Sequence, residues 1–466
     1  MYGGYLKKLA SVWLRLILNL SPRFLDCHNF NARNNGCGIE DMLDIKLIRN
    51  KPDTIQAICN ERGLKVDIDS LLRIDGERLD LLSKIEALRR ESNELVSLIK
   101  SADSNSRGKL IEKGAYLKAQ IQDLNSLHIK VDAAYTVKLM TVPNLYADDT
   151  PTGKNEDNNI EIEVFNQHRG FKVGDKDHIS IGNLIGMNFE AGTRIAGSGF
   201  PLMSGPMAQL EDGILRYAYD RAVADGFIPV NVPLLAKHDI IEGLGFNPRR
   251  SDEGSEIFST TRDDLCLIGT AEIPLVGQYA GVTFEWSQLP IKLVSRTPCF
   301  RREGSYGRRD AGLYRNKMFN KVELVVITDE ENAASLFEDI RTFEIKLFKD
   351  LGIHCRTVRI CAGDLGAPAF KKYDLEAWMM GRGEGGDLPG WGELTSCSNC
   401  TDYQSRRLNI RYKKSGEKSK FVYTLNGTGI TTRAMIPVLE QYQNSDSSIT
   451  IPEVLRPYLG GLHVLR

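Results

Sequence analysis

The chain has 466 residues, and its 60 lysines and arginines against 61 aspartates and glutamates give a formal net charge of −1. This length suits two or three domains, since a domain usually takes ~100–200 residues. The balanced charge excludes a globally basic protein, so any nucleic-acid partner must contact a local basic patch. Because no apolar run reaches the ~18–20 residues of a membrane-spanning helix, we predict no membrane segment.

The N-terminal 41 residues differ in composition from the rest of the chain. The first 25 residues carry Lys7, Lys8, Arg15 and Arg23 and no acid, a composition compatible with an amphipathic organelle-targeting segment. The stretch MLDIKLIRNKP from Met42, however, has the character of a natural protein start. We therefore predict that residues 1–41 are an extension outside the fold and that the protein is cytoplasmic. The alternative is a transit peptide and a mitochondrial or other organelle matrix.

The nine cysteines are scattered without the spacing of a disulfide framework, which favours a reducing compartment. Cys397 and Cys400 form a Cys-x-x-Cys pair, but a zinc site would need two further ligands. No second cysteine pair and no histidine pair supplies them. We predict no zinc site.

Apolar residues recur at coiled-coil spacing from about Asp69 to Leu139. A seam of this kind needs a partner helix. The polar run Ser101–Gly108 divides the segment into similar halves, so folding back is the economical solution. We predict an antiparallel helical hairpin, about 69–140, with helices of ~30 residues and ~45 Å.

Near its tip the hairpin has a modest excess of positive charge. Three interpretations stay open: a solvated surface of mixed charge, an oligomerisation coiled coil, or a contact with a phosphate backbone. The basic residues of interest are Arg89, Arg90, Lys100, Arg107 and Lys109.

The hairpin belongs to a predicted N-terminal domain, residues 42–145, and residues 146–160, rich in Asp, Thr, Pro and Gly, come next as a linker. In residues 161–466 helical and strand patterns alternate without a repeated βαβ period, which predicts an α+β domain. The elements predicted are a helix at Met207–Ala224, strands at Phe227–Val232, Lys292–Phe300, Lys321–Ile327 and Phe421–Leu425, and a helix at Ala434–Gln443.

Gly381–Gly386 fits G-x-G-x-x-G but opens no helix, so we predict a loop and no dinucleotide site.

Two β-rich runs flank an arginine-rich loop between Thr297 and Glu323. Cations held on rigid strands around a loop suit the binding of a polyphosphate. The order and spacing of five residues here resemble motif 2 of a class II aminoacyl-tRNA synthetase. They are Arg301, Glu303, Arg315, Phe319 and Glu323.

Three further segments and the start at Met42 resemble bacterial and organellar seryl-tRNA synthetases, and together they extend nearly to the C-terminus. They are the Thr-x-Glu loop Gly269–Pro274, the stretch from Tyr373 through Glu393 to Arg407, and Leu425–Arg433. The resemblance implies a class II antiparallel β-sheet core flanked by helices, with the hairpin as a tRNA-binding arm. It also implies serine activation by ATP, transfer of the seryl group to the 3′ end of tRNA(Ser), and a homodimer formed through a region ending near Pro233.

The resemblance also implies roles for single residues. Arg301 would bridge the serine carboxylate and the α-phosphate of ATP, where a guanidinium fork outperforms a lysine. Arg301 and Arg433 would thus be the catalytic residues. On the ATP side, Glu303 would bind the adenine amino group, Phe319 and Arg433 would enclose the adenine ring, and Arg315 would hold the β- and γ-phosphates.

By the same resemblance, Glu393 and Ser396 would supply oxygen ligands to Mg²⁺. The serine-binding set would comprise Thr270, Glu272, Arg301, Glu323, Asn426 and Thr428. A site that hydrogen-bonds a substrate hydroxyl rejects analogues without one, since its own polar groups are left unpaired.

The chain departs from the family pattern near its catalytic residues. The loop from Arg301 to Phe319 is one residue short and carries Lys317-Met318 in place of His-Gln, the segment between Gly429 and Arg433 is also short, and Gly383–Gly392 resembles an insertion. All the contacting side chains are nevertheless present, so we expect an active enzyme. The alternatives are a catalytically inactive paralogue acting as an interaction protein and a ligase that loads a carrier protein.

Overall fold

The computed structural model describes residues 44–168, 170–246, 257–303, 307–386 and 388–466. The prediction for residues 1–41 therefore lies outside the described residues. Within them, no helix combines the length and apolar character needed to cross a membrane.

The N-terminal region is helical and confirms the predicted hairpin. Its helices are α1 (Ile45–Asn50), α2 (Pro52–Glu61), α3 (Ile68–Ser101) and α4 (Ser104–Met140). The two long helices have 34 and 37 residues, or ~50 and ~55 Å at 1.5 Å per residue. Ion pairs join them near the base and nearer the tip: Arg78 to Asp132 at 2.6 Å and Lys113 to Glu91 at 2.7 Å.

The predicted break at Ser101–Gly108 is wrong in its extent. The connection comprises Ala102 and Asp103 alone, because the Asp103 carboxylate accepts a hydrogen bond from the Ser106 backbone N–H at 2.8 Å. That contact caps the N-terminus of α4. The polar run 104–108 is therefore the first turn of a helix.

The C-terminal region, from Ile160 onward, is built on an eight-stranded sheet, which confirms the α+β class. Its strands are β1 (Ile160–Phe165), β2 (Ile228–Pro229), β3 (Ile291–Phe300), β4 (Met318–Thr328), β5 (Cys355–Arg359), β6 (Lys371–Met379), β7 (Gly390–Asn399) and β8 (Tyr423–Thr431). The order is β1-β5-β6-β7-β8-β4-β3-β2. Every neighbouring pair is antiparallel except β2 with β3.

Helices cover both faces of this sheet. They are α5 (His178–Ile185), α6 (Phe189–Ala196), α7 (Gly205–Ala224), α8 (His238–Gly243), α9 (Glu272–Gly277), α10 (Glu330–Asp350), α11 (Tyr403–Leu408) and α12 (Met435–Gln441). Apolar residues of α7 and α10, such as Leu210 and Phe348, share one core with Leu425 of β8. On the other face, α8 and α9 pack with Val325 of β4. The strands are thereby fixed from both sides.

Short strands form the remaining sheets: Met187–Asn188 with Leu202–Met203, Leu235–Lys237 with Leu265–Leu267, Thr283–Glu285 with Arg411–Lys413 and Lys420–Phe421, and Ile449–Thr450 with Val464–Leu465.

The structure confirms most predicted elements and corrects two strands. The helices predicted near 207 and 434 and the strands predicted near 292 and 321 are present as α7, α12, β3 and β4. The strand predicted at Phe227–Val232 shortens to two residues, since Pro229 has no N–H to donate. The run predicted at Phe421–Leu425 divides, because Phe421 belongs to a separate strand while β8 continues through Gly427 and Gly429 to Thr431.

Two arginines that donate to backbone carbonyls connect the base of the hairpin to the C-terminal region. Arg62 is 4% exposed and donates hydrogen bonds to the carbonyl oxygens of Asn144 and Gly366, both at 2.5 Å. Arg407 of α11 donates to the Met140 carbonyl at 3.0 Å. Burial lowers the pKa of Arg62 to about 10. These carbonyl contacts fix the position of the hairpin base.

Candidate active site

The floor of the candidate site is formed by adjacent antiparallel strands. On β4, Phe319, Lys321 and Glu323 alternate and share one face, because side chains on a strand repeat every two residues. Glu323 lies opposite Thr428 of β8. The predicted motif 2 residues and the predicted serine-binding threonine thus meet on one surface.

Above this surface lies a cleft of about 280 Å³. The structure brings eight predicted site residues into its lining, namely Arg301, Glu303, Arg315, Phe319, Glu393, Ser396, Thr428 and Arg433. They lie on β4, β7 and β8 or in the segments that follow β3 and β8. The first and last of them, Arg301 and Arg433, are 132 residues apart in the sequence. The sequence motifs give only the order of these eight residues along the chain, and the tertiary structure brings them together in one cleft.

Behind the cleft lies a buried polar layer containing the other predicted serine-binding residues. Thr270 Oγ1 donates to Glu323 Oε2 at 2.8 Å. Glu272 Oε1 accepts from Gln404 at 2.7 Å and from Asn426 at 2.9 Å. These four predicted residues, Thr270, Glu272, Glu323 and Asn426, form the inner end of the site.

Burial dominates the electrostatics of Glu272. It raises the pKa of the Glu272 carboxyl to about 7, and the nearby charge of Glu323 acts in the same direction. The hydrogen bonds from Gln404 and Asn426 oppose the shift. The inner layer thus holds one carboxyl that titrates near neutral pH.

Arg301 links the inner layer to the cleft. It comes directly after the last residue of β3, and its Nε donates to the Gly269 carbonyl at 3.3 Å. Its guanidinium lies 5.4 Å from the centroid of the Phe319 ring, within the range of a cation–π contact. Arg301 therefore lies between the Thr-x-Glu loop and the aromatic side chain predicted to bind adenine.

The outer residues of the arginine-rich loop pair with one another. Arg315 lies 3.7 Å from the Glu303 carboxylate and 4.0 Å from the Asp310 carboxylate. Arg315 is half exposed, so these pairs are weak. A polyphosphate can compete for its guanidinium at low cost.

Arg433 and Glu393 make the central ion pair of the cleft. Arg433 donates to the Glu393 carbonyl at 2.9 Å, and its guanidinium lies 3.5 Å from the Glu393 carboxylate. Burial alone would raise the pKa of Glu393, but the charges of Arg433, Lys372 and Arg301 outweigh it and lower the pKa. The carboxylate is therefore ionised at neutral pH.

Glu393 and Ser396 fit a hard divalent cation. Residues three apart on a regular strand face opposite sides, but a β-bulge at Leu394 interrupts the pairing of β7 with β6 and brings both side chains to the cleft face. An ionised carboxylate and a hydroxyl are ligands that Mg²⁺ accepts together with phosphate oxygens and water. No group of three or more His, Cys, Asp or Glu side chains among the described residues could hold a metal ion.

Sequence reasoning missed several polar side chains, among them Tyr314, Lys321 and Lys372 in the cleft lining and Asp374 and Arg382 next to it. Lys321 pairs with Glu323, and its position two residues before Glu323 on a strand could have indicated a shared face. Lys372 donates to Asp374 at 2.9 Å with the same spacing. Nothing in the sequence pattern indicated Tyr314 or Arg382.

The basic residues predicted for the arm lie outside the cleft. Arg89, Arg90, Lys100, Arg107 and Lys109 are exposed on α3 and α4. Arg90 faces Glu86 at 3.7 Å, which is a weak surface pair. Gly381–Gly386 forms the turn between β6 and β7, which confirms that it is a loop.

Fold and cleft together define a class II aminoacyl-tRNA synthetase core. Residues 256–442 match the tRNA synthetase class II core domain (G, H, P, S and T), and residues 42–146 match the Seryl-tRNA synthetase N-terminal domain. The chain is 39% identical over 424 residues to the serine–tRNA ligase of Rhodopirellula baltica, covering 90% of this chain and 98% of that protein. It is 38% identical over 423 residues to that of Treponema denticola, covering 90% of this chain and 99% of that protein.

Solved structures agree. The seryl-tRNA synthetase of Pyrococcus horikoshii complexed with ATP superposes with a TM-score of 0.82 at 32% identity, covering 91% of this chain and 99% of that one. The cytoplasmic serine–tRNA ligase of Naegleria fowleri in complex with AMP gives a TM-score of 0.78 at 28% identity, with the same coverage of both chains. The chain belongs to the seryl-tRNA synthetase family.

Proposed function

We propose that this chain is a serine–tRNA ligase. The serine carboxylate attacks the α-phosphate of ATP, giving seryl-adenylate and pyrophosphate. The 3′-terminal ribose hydroxyl of tRNA(Ser) then attacks the seryl carbonyl, giving seryl-tRNA and releasing AMP. The observation that carries the proposal is the single cleft in which eight predicted ATP- and serine-binding residues meet above a buried polar layer.

The inner layer supports serine as the substrate. Glu323 offers a negative charge to the ammonium group, and Thr428, directly opposite, offers a hydroxyl at the same depth. Thr270 orients the Glu323 carboxylate through its hydrogen bond. Polar groups at this end of the cleft favour an amino acid with a hydroxyl, because an apolar analogue would leave them unpaired.

The outer cleft supports ATP as the second substrate. Negative charge builds on the α-phosphate oxygens and on pyrophosphate during activation, so fixed cations stabilise the transition state. We propose that Arg301, which contacts the Gly269 carbonyl beside the inner layer, binds the α-phosphate, and that the half-exposed Arg315 binds the terminal phosphates. Phe319, Arg433 and Glu303 all line the cleft. We propose that the first two stack on the adenine ring and that Glu303 accepts a hydrogen bond from its amino group.

Glu393 and Ser396 would hold Mg²⁺, which supplies charge neutralisation of the phosphates when bound. The chain's own contribution is the β-bulge that aims both oxygens into the cleft. Arg433 keeps the carboxylate ionised and in place through its ion pair and its bond to the Glu393 carbonyl.

The hairpin supports tRNA as the acyl acceptor. Its exposed basic residues occupy a projection ~50 Å long, which suits contact with a phosphate backbone at a distance from the cleft. We propose a domain division at residues 42–145, 146–160 and 161–466. We also propose a homodimer, in which the arm of one subunit presents tRNA to the other, and a cytoplasmic location with an organelle matrix as the alternative.

Pyrophosphate exchange tests the adenylation step. Purified protein supplied with Mg²⁺ and ATP should incorporate labelled pyrophosphate into ATP only when serine is present. An inactive paralogue would show no exchange. A carrier-protein ligase would show exchange but would not charge tRNA, and the hairpin argues against it.

A further inference from the structure

Tyr314 separates the ATP cleft from a second, outer cavity. It is 8% exposed and contributes to the lining of both, whereas Arg433 lines only the cleft and Arg382 only the outer cavity. The guanidinium of Arg433 lies 4.4 Å from the Tyr314 ring centroid, and that of Arg382 lies 3.6 Å from it. The ring therefore contacts two guanidinium groups, one of which lines the cleft and the other the outer cavity.

On the cleft side, Tyr314 contacts two residues of the proposed active site. Its hydroxyl accepts a hydrogen bond from the Glu393 backbone N–H at 3.0 Å, and its carbonyl accepts one from Arg433 Nε at 3.0 Å. The ring thus contacts Glu393, the proposed magnesium ligand, through its hydroxyl and Arg433 through its face, while the backbone carbonyl of Tyr314 holds Arg433 independently of the ring.

The backbone at Tyr314 is fixed separately from its ring. The Leu313 N–H donates to His178 Nε2 at 3.2 Å, and His178 Nδ1 lies 2.9 Å from Glu440. On the ring's outer side the cavity measures about 520 Å³. The ring therefore has space to rotate outward if nothing covers that side.

Arg382 covers it from the turn between β6 and β7. Its Nη1 donates to the Arg309 carbonyl at 2.5 Å and lies 3.6 Å from the Asp310 carboxylate. In return, the Arg309 side chain donates to the Arg382 carbonyl at 2.9 Å. These reciprocal contacts join the β6–β7 turn to the arginine-rich loop.

We propose that Arg382 is a positioning residue for ATP, which holds Tyr314 and the neighbouring residues Arg309 and Asp310 in place beside the cleft. It does not touch the reacting atoms, and it acts through Tyr314 on Glu393 and Arg433. The inference rests on the proposed function. Arg382 comes directly before Gly383–Gly392, the segment that resembles an insertion. The proposal therefore gives the start of that segment a role in holding the shortened loop between Arg301 and Phe319.

The test compares Arg382→Ala, Arg382→Lys and the unchanged full-length chain in serine-dependent pyrophosphate exchange. Arg382→Ala should raise KM for ATP about tenfold, because misplacement by about 1 Å weakens several contacts at once. KM for serine should not change, since the inner layer has no contact with Arg382. Arg382→Lys retains the positive charge but loses the planar guanidinium group and its paired donors. Its KM for ATP should therefore be intermediate, raised about threefold.

Arg411→Ala is the matched control, because Arg411 also stacks on an aromatic ring, 3.8 Å from the Phe421 centroid, outside the cleft. Its KM for ATP should equal that of the unchanged chain. An unchanged KM for ATP in Arg382→Ala, or equal rises in KM for both substrates, would overturn the inference. If Arg382→Ala does not fold, Arg382→Lys decides alone by the same criterion. Lack of exchange in the unchanged chain would instead refute the proposed function.

Discussion

The hydroxyl of Thr270 donates a hydrogen bond to the carboxylate of Glu323, with 2.8 Å between Oγ1 and Oε2. Lys321 pairs with the same oxygen. Glu323 is 2% exposed, so its carboxylate is held in one orientation by a hydroxyl and a cation in a site shielded from water. This fixed charge at the inner end of the cleft is the feature we expect to determine serine binding.

Replacing Glu323 with glutamine should raise KM for serine by about 10- to 100-fold, since a buried hydrogen bond to a charged group contributes about 1.5–3 kcal/mol. Glutamine keeps the shape and still accepts from Thr270, but it offers no charge to the ammonium group. Serine titrations of pyrophosphate exchange measure the effect. Glu331→Gln, which removes an exposed carboxylate paired with Lys414 at 3.3 Å, is the control. Equal KM values for serine in the two variants would contradict the assignment.

Glu272 should make the folded state less stable as pH rises. Its pKa is about 7 in the folded protein against an ordinary value of 4.5, so the folded state binds the proton more tightly. Between these values the unfolded state binds fewer protons, and the free energy of unfolding falls with increasing pH. Glu272→Gln removes this pH dependence, and its glutamine oxygen can still accept from Gln404 and Asn426.

Urea unfolding at pH 5 and pH 8 tests this sign. From pH 5 to pH 8 the free energy of unfolding of the unchanged chain should fall by about 2.5 kcal/mol more than that of Glu272→Gln, at ~1.4 kcal/mol per pKa unit. The absence of a difference would show that the carboxyl is ionised throughout, and a difference of opposite sign would show that folding lowers its pKa; either result would contradict the account.

Glu393→Gln should increase the Mg²⁺ concentration that gives half-maximal pyrophosphate exchange and should lower the maximal rate at least about tenfold, since a neutral amide binds Mg²⁺ weakly. Ser396→Ala should shift the same Mg²⁺ dependence by less, because a hydroxyl is a neutral ligand. Titration of Mg²⁺ at saturating ATP measures both. Glu417→Gln, at an exposed carboxylate, should match the unchanged chain. If Glu393→Gln also keeps the ordinary Mg²⁺ dependence, the metal assignment is wrong.

Deleting Leu82–Leu124 should abolish tRNA charging and spare pyrophosphate exchange, because it shortens α3 and α4 without reaching the contacts of Arg62 and Arg407 at the hairpin base. Charging and exchange are measured on the same preparation. Unchanged charging would refute the role of the arm.

A second variant tests the charges of the arm while the hairpin remains. Glutamine at Arg89, Arg90, Lys100, Arg107 and Lys109 should weaken tRNA binding and flatten its dependence on salt concentration. With fewer phosphate contacts, binding releases fewer counterions from the tRNA. Binding titrations at several salt concentrations give the slope. An unchanged slope would indicate a solvated surface of mixed charge.

Periodicity and motif order predicted much of this molecule. The seam from Asp69 to Leu139 predicted the hairpin, and the order Arg301, Glu303, Arg315, Phe319 predicted residues that the structure places in one cleft. These succeed because each depends on local spacing along one helix or two adjacent strands.

What the sequence did not show depends on local irregularity and on contacts between distant segments. The bulge at Leu394 gives Glu393 and Ser396 a common face, against the regular alternation of a strand. The cap at Asp103 turns a polar run into helix. The Arg382 contact with Tyr314 joins segments 68 residues apart, and no spacing rule indicates it.

The decisive measurement is aminoacylation itself. Purified full-length protein, incubated with ATP, Mg²⁺, labelled serine and a tRNA(Ser) transcript, should form acid-precipitable seryl-tRNA, and it should not do so with labelled alanine or with a tRNA for another amino acid. Failure to charge tRNA(Ser) under conditions that support serine-dependent pyrophosphate exchange would contradict the proposed function.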